Sequence, residues 1–139
     1  MTLQLNETAD IDTILAAEST IGYDHGGTQT HKALRLMLNS FSADVNNPKI
    51  AIIITDGASF EPDETQRAAI EAKMAGVVMF AIGVGDDVNP HETSAMSSNP
   101  DSRYLFQVTD FRSLESIGDQ FHGRDCVGKQ EFRTWTYTT

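Results

Sequence analysis

The stretch Ile50-Ala51-Ile52-Ile53-Ile54-Thr55-Asp56-Gly57 decides the fold class of this chain. Its first five residues are all apolar, so a strand formed from them would be buried on both faces, as the central strands of parallel sheets are. The run stops at Asp56 and Gly57, and the carboxyl ends of strands are where open α/β sheets bind ligands. The sequence therefore predicts a parallel α/β sheet with Asp56 at its functional edge.

A second strand and the helices around it extend this prediction. Val77 to Ile82 is another apolar run, and the segment before it has a helical pattern with Asp63 as predicted N-cap and Gly76 as terminator. Strand, helix, strand in this order implies a right-handed parallel crossover. The remaining predicted elements are a short strand around Leu3 and Leu5, which lie outside the residues described below, a helix at 12–21, a helix capped by Thr28 or Thr30, a short helix at 90–96, a strand at 104–108 and a helix from Asp110 to about Phe121.

Length, composition and charge exclude several classes of protein. The chain has 139 residues, of which 40% are hydrophobic, and this is enough for one domain with its own core. Its formal charge of −10 argues against nucleic acid as a partner, because phosphate binding needs a basic face. No apolar run approaches the roughly 20 residues of a membrane span, and the first residues contain no secretion-signal pattern. We expect neither nucleic-acid binding nor membrane insertion.

Four short motifs resemble, in order and spacing, those of the von Willebrand factor type A domain. They are Gly26-Gly27-Thr28-Gln29-Thr30, Ile53-Ile54-Thr55-Asp56-Gly57, Phe80-Ala81-Ile82-Gly83-Val84-Gly85 and Val108-Thr109-Asp110-Phe111. The motifs are most similar to those of extracellular matrix proteins such as the matrilins and collagen VI. The resemblance implies a doubly wound, Rossmann-like α/β sheet flanked by helices. It also implies a noncatalytic binding or adhesion module of an extracellular matrix or cell-surface protein, located outside the cell.

The resemblance further implies a metal-ion-dependent adhesion site at the carboxyl ends of the strands. It assigns Thr28 as the threonine ligand and Asp56 as the aspartate ligand, with Thr30 and Gly57 shaping their loops. Magnesium prefers such hard oxygen ligands, completed by water. In this kind of site an open coordination position accepts a carboxylate from a partner. The implied partners are matrix or cell-surface proteins such as collagen.

The Asp-x-Ser-x-Ser motif that supplies the other ligands of that site is absent from the sequence. Aligned by its motifs, the chain begins at the family's third strand, so we expect an N-terminally truncated domain, most simply a fragment. We expect Mg²⁺ in a full-length domain and little or none bound by this chain alone. Residues 1–122 are predicted to form the partial domain, and 123–139 a tail or linker containing either a stray strand or a frayed end. The resemblance implies that the disulfide partner of Cys126 lies in the missing part.

The alternative function is an α/β enzyme, a hydrolase or phosphotransferase, with Asp56 as nucleophile or base. No motif places a general acid beside Asp56, and the dehalogenase-type pattern needs an aspartate where Ala58 stands. Two nucleotide-binding patterns also fail, because Thr28 replaces the lysine of a phosphate-binding loop and no glycine stands at the third position of the dinucleotide fingerprint that would begin at Gly83. We therefore expect no catalytic and no cofactor-binding residues.

Two groups of polar residues are predicted to lie at the surface. Asp86, Asp87 and the nearby Glu92 suit a solvated acidic turn better than a calcium site. The four histidines have no ligand-like spacing, so each is predicted to be a surface or turn residue. They are His25, His31, His91 and His122.

Overall fold

A computed structural model describes residues 10–20, 22, 26–41, 48–117 and 136–138. In chain order these residues form α1 (Ile11–Glu18), α2 (Thr30–Ser40), β1 (Lys49–Thr55), α3 (Pro62–Met74), β2 (Val77–Val84), α4 (Pro90–Met96), α5 (Asp101–Tyr104), β3 (Leu105–Val108) and β4 (Thr136–Thr138). A turn of 3₁₀ helix, Phe111–Ser113, follows β3. None of the helices in these ranges is long and apolar enough to cross a bilayer.

The described strands form one parallel sheet in the order β3-β2-β1-β4. β1 and β2 pair along the full length of β1, from Lys49 opposite Val77 to Thr55 opposite Gly83. On its other edge β1 pairs with β4, from Ile52 opposite Thr136 to Ile54 opposite Thr138. The two doubly apolar runs are thus the inner strands, as the sequence predicts.

The core lies on both faces of the sheet because successive side chains of a strand alternate between faces. Ala51 and Ile53 of β1 pack on one side with residues of α2, α3 and α4. Ile54 packs on the other side with β2 residues and with Ile117, in the helical segment 114–117. Helical residues therefore cover both faces, and the predicted doubly wound arrangement is confirmed.

Several predicted element boundaries are wrong by a few residues. α2 follows Gln29 rather than a threonine cap. α3 follows Glu61 rather than Asp63, because Pro62 takes the first helical position, where its fixed φ suits a helix and its missing N–H is not needed. The third strand begins at Leu105 after a short helix. Gly76 follows α3 with φ of +83°, as expected of a terminating glycine.

The C-terminal residues contain a strand that joins the sheet. The sequence predicts residues 123–139 as a tail or linker with either a stray strand or a frayed end, and Thr136–Thr138 forms a strand that pairs in parallel with β1. Threonine and tyrosine favour strands, and the apolar strand β1 offers them an edge. The domain boundary at residue 122 stays a prediction, and Cys126 lies outside the described residues.

Candidate functional site

Asp56 lies at the carboxyl edge of the sheet, the side on which the parallel strands end. It follows β1 directly and is exposed. The preceding Thr55 is buried, and its hydroxyl donates a 2.9 Å hydrogen bond to the carbonyl of Gly57. This local bond holds the backbone on either side of Asp56, so its carboxylate is presented to solvent from a fixed turn.

Thr28 lies in the segment 26–29 that leads into α2. It is partly buried, and its carbonyl accepts a 2.8 Å hydrogen bond from the backbone N–H of Phe60. Phe60 belongs to the loop 56–61, called here the Asp56 loop. The structure therefore brings the segment of Thr28 and the Asp56 loop together, while Thr30 is buried as the first residue of α2.

Buried polar residues hold the Asp56 loop from two helices. The backbone N–H of Ser59 donates a 3.1 Å hydrogen bond to Oε2 of Glu92, which is only 6% exposed and lies in the first turn of α4. The hydroxyl of Thr65 on α3 lies within hydrogen-bond distance of Oγ of Ser59, at 3.0 Å, and of the carbonyl oxygen of Glu61, at 3.1 Å. The loop is thus anchored to α3 and α4 at its centre.

Glu92 is the supporting residue that sequence reasoning missed. It was predicted to belong to a solvated acidic turn, and this is wrong, although Asp86 and Asp87 are exposed as expected. A buried carboxylate needs hydrogen-bond donors, and the positive end of a helix also favours it. The available signal was the sequence Asn89-Pro90 before it, which starts a helix and places Glu92 in the first turn.

His31 is also placed differently from the prediction. It is 5% exposed on the inward face of α2, one turn before the buried Leu34, and Nδ1 has no hydrogen-bond partner among the described residues. The spacing of three residues puts both side chains on one helix face. His91 is exposed as predicted, and His25 and His122 lie outside the described residues.

An exposed aromatic side chain lies beside the segment of Thr28. Phe60 is 74% exposed, and a Cβ added at Gly27 would meet its Cδ2 atom at 4.0 Å, so the ring lies beside the segment of Thr28. Aromatic residues are enriched at protein–protein interfaces, so the exposed Phe60 is a candidate contact for a partner.

The chemistry of Thr28 and Asp56 fits a divalent cation, but only as part of a ligand set. A hydroxyl and a carboxylate are hard oxygen donors, and the exposure of Asp56 leaves room for the water that magnesium retains. Within the part of the chain that the structure describes, no group of three or more His, Cys, Asp or Glu residues could hold a metal ion. Thr28 and Asp56 therefore supply two oxygen ligands of a larger ligand set.

Comparison with known proteins identifies the family. Residues 1–120 match the model of the von Willebrand factor type A domain. The chain belongs to this family. It is 32% identical over 126 residues to the collagen alpha-1(XXI) chain of Xenopus laevis, which is 89% of this chain and 13% of the relative. It is 35% identical over 119 residues to matrilin-1 of Gallus gallus, which is 82% of this chain and 24% of the relative. This type A domain therefore spans less than two thirds of either relative.

Solved structures agree on the fold. Proximal thread matrix protein 1 from the mussel byssus superposes with a TM-score of 0.71 and 25% identity, over 81% of this chain and 30% of that one. A second structure of the mussel protein, described as having a zinc occupied MIDAS motif, has a TM-score of 0.72 and 22% identity, over 82% and 28%. The resemblance drawn from the four motifs is confirmed.

The enzyme alternative finds no support around Asp56. No residue in the described ranges donates a hydrogen bond to its carboxylate, and the relatives named above are a collagen chain and a matrilin. A nucleophilic or basic aspartate would need a positioned partner within hydrogen-bond reach.

Proposed function

We propose that this type A domain is a noncatalytic protein-binding module of an extracellular matrix or cell-surface protein, located outside the cell. It binds its partner at the surface formed by Thr28, Asp56 and Phe60. The observation that carries the proposal is the hydrogen bond from the Phe60 N–H to the Thr28 carbonyl, which joins the segment of Thr28 to the loop that carries the exposed Asp56 and the exposed Phe60. The kinship with matrilin-1 and collagen XXI supports matrix proteins such as collagen as partners.

Each residue of this surface has a distinct task in the proposal. Phe60 supplies apolar contact area, which is the usual energetic centre of an interface. Thr28 and Asp56 would hold a divalent cation, Mg²⁺ in a full-length domain, and the ion when bound supplies a positive coordination position for a carboxylate of the partner. Without a cation, Asp56 and the net charge of −10 favour basic groups on the partner.

Surface plasmon resonance with immobilised matrix proteins tests the proposal. The full chain is passed over fibrillar and network-forming collagens and proteoglycans, and over itself, in Mg²⁺ and in EDTA. We expect binding to at least one matrix protein, and about tenfold weaker binding for Phe60→Ala or Asp56→Asn, a loss of roughly 1.4 kcal/mol. Asp12→Asn removes an equal charge from an exposed position on α1 and serves as the matched control.

The outcomes of this experiment are separable. Weaker binding of both site variants and unchanged binding of the Asp12 variant supports the surface. Equal binding of all three variants, or no binding to any immobilised protein, contradicts it. A loss of affinity in EDTA shows that an ion takes part, and unchanged affinity shows that the side chains of this chain suffice.

Isothermal titration with Mg²⁺ tests the ligand assignment separately. Because only two ligands are available and hydrated magnesium releases water reluctantly, we expect a dissociation constant of about 10⁻⁴ M or weaker, abolished by Asp56→Asn. Thr28→Val removes the hydroxyl with little change in volume and should have the same effect. Micromolar binding by the unaltered chain would contradict this expectation.

The noncatalytic part of the proposal has its own test. We expect no turnover of generic phosphate and ester substrates by the purified chain. Turnover that Asp56→Asn abolishes would instead favour an enzyme with Asp56 as nucleophile or base.

A further inference from the structure

Asp56 is the only aspartate of this chain that is followed by glycine. Its side chain is exposed, and no residue among those described donates a hydrogen bond to its carboxylate. The carboxylate is therefore free to rotate toward the main chain that follows it. The glycine matters because a residue without a Cβ allows another group to approach its backbone nitrogen closely.

The backbone amide of Gly57 is open to such an approach. Its N–H donates to Oγ1 of Thr55 at 3.4 Å, which is longer than the usual range for an N–H donor. The Thr55 hydroxyl makes its shorter bond, at 2.9 Å, to the Gly57 carbonyl. Apart from the two neighbouring residues in the chain, nothing lies within 4 Å of the position that a Cβ of Gly57 would occupy. The nitrogen of Gly57 is thus weakly held beside empty space.

The other aspartates in the described ranges differ from Asp56 in their hydrogen bonds or in the residue that follows. Three carboxylates are held by hydrogen bonds from nearby serine or threonine residues, and they belong to Asp10, Asp101 and Asp110. Four others are exposed but precede a residue with a side chain, and these are Asp12, Asp63, Asp86 and Asp87. Within the described ranges, a free carboxylate and a following glycine therefore coincide at Asp56 alone.

We propose that Asp56-Gly57 is a site of spontaneous isoaspartate formation in the folded chain. The nitrogen of Gly57 forms a bond to Cγ of Asp56 and loses its proton. One carboxyl oxygen takes up that proton and another from solvent and leaves as water, which closes a succinimide ring. Water then adds to the main-chain carbonyl carbon of Asp56 and breaks its bond to the nitrogen. The chain now runs through Cγ, and no reactant other than water is needed.

The modification alters the surface to which we assign partner binding, and this consequence rests on the function proposed above. Isoaspartate adds a methylene group to the main chain and attaches the carboxylate directly to Cα. Hydrogen bonds hold the loop at Thr55 and at Ser59, so the added methylene must be accommodated between these two residues. We expect a chain with isoaspartate at position 56 to bind its partner less tightly. The modification itself requires no partner.

Peptide mapping by mass spectrometry of the full chain, stored at neutral pH and body temperature, tests the proposal. Isoaspartate has the mass of aspartate but gives characteristic fragments on electron-transfer dissociation, and the succinimide is lighter by one water. We expect isoaspartate to accumulate at position 56 at a rate within an order of magnitude of that in a free peptide copying residues 53–60. Asp87 is also exposed but precedes Val88, and it should remain aspartate as an internal control.

Gly57→Ala separates the role of the glycine from that of the fold. The φ angle of Gly57 lies outside the left-handed region and a Cβ has space, so this variant should keep the far-UV circular dichroism of the unaltered chain. Conversion at position 56 should fall several-fold, because the Cβ crowds the neighbouring nitrogen and restricts the backbone. Storage should therefore weaken binding of the unaltered chain to the immobilised collagens and proteoglycans, and leave that of the variant unchanged.

Three results would overturn the proposal. The first is an Asp56 that stays intact in the folded chain after the free peptide has converted. The second is equal accumulation of isoaspartate at Asp56 and Asp87. The third is an unchanged rate in a folded Gly57→Ala chain. Accumulation at position 56 without any loss of affinity would support the modification and contradict the binding surface, so failures of the two proposals are distinguishable.

Discussion

Replacing Glu92 by alanine should release the Asp56 loop at a cost that can be worked out from its contacts. The carboxylate accepts the N–H of Ser59 at 3.1 Å, and both residues are buried. A hydrogen bond to a charged group contributes about 1.5–3 kcal/mol, and a buried N–H left without an acceptor costs about 1–3 kcal/mol. The two figures describe the same lost hydrogen bond, so they are not added together. Alanine also removes the cost of burying a carboxylate, which offsets part of the loss. We expect the free energy of unfolding to fall by about 2 kcal/mol.

Glutamine at the same position distinguishes this explanation from a simple loss of packing. Glu92→Gln keeps the length of the side chain and an oxygen that can accept the Ser59 N–H, so it should cost about 1 kcal/mol or less. Asp87→Asn alters an exposed acid between β2 and α4 and should change stability by no more than about 0.5 kcal/mol.

Urea unfolding followed by far-UV circular dichroism measures the three variants, and native-state hydrogen exchange reports on the Ser59 amide. The amide should exchange faster in Glu92→Ala and nearly as in the unaltered chain in Glu92→Gln. Equal destabilisation by alanine and glutamine would refute the hydrogen-bond argument, since packing would then carry the effect. A loss below about 0.5 kcal/mol for alanine would refute the claim that Glu92 anchors the loop.

Three further predictions concern Asp101 in α5, Lys73 in the last turn of α3 and Gly76 after α3. Hydrogen bonds from the hydroxyls of Ser94 and Ser97 lower the pKa of Asp101, so its contribution to stability is present above the ordinary aspartate pKa and is lost as pH falls through the lowered value. The difference in unfolding free energy between the unaltered chain and Asp101→Asn should therefore shrink below about pH 4 in urea titrations at several pH values. Lys73→Met removes the ammonium that donates to two carbonyls at the end of α4, at 2.6 and 3.0 Å, and should cost about 1–2 kcal/mol in the same assay, whereas unchanged stability would show that water replaces the ammonium. Gly76→Ala forces an L side chain onto φ of +83° and should cost about 1 kcal/mol, and a stabilising effect would contradict the strained geometry.

The sheet and the position of Asp56 could be predicted because both follow from local sequence. A run that is apolar at every position must be buried on both faces, which fixes β1 as an inner parallel strand and its end as the functional edge. Family motifs then related Asp56 to Thr28. The structure adds the physical link between their segments, the hydrogen bond from Phe60.

The residues that hold the site could not be predicted from local patterns. Glu92 and Ser59 are 33 positions apart, and the helix-start signal of Asn89-Pro90 places Glu92 in a first turn without indicating that it is buried. His31 lies on a helix face whose burial depends on packing against the rest of the domain. The sequence left a strand and a frayed end open for the C-terminal residues, and the choice between them depends on pairing with a strand more than 80 positions earlier in the chain. Contacts between distant positions decide all three, and periodicity reports only on near neighbours.

The division between exposed and buried residues at the carboxyl edge separates the two kinds of variant that this domain allows. Asp56 and Phe60 are exposed, so changing them alters the surface offered to a partner with little effect on folding. Ser59, Thr65 and Glu92 are buried and hydrogen-bonded, so changing them alters the position of the same surface through a loss of stability. A variant of the first group that lowers binding at constant stability therefore reports on contact with the partner. A variant of the second group lowers binding only as far as the loop is released, and the ratio of its binding loss to its stability loss measures how strongly recognition depends on a fixed loop.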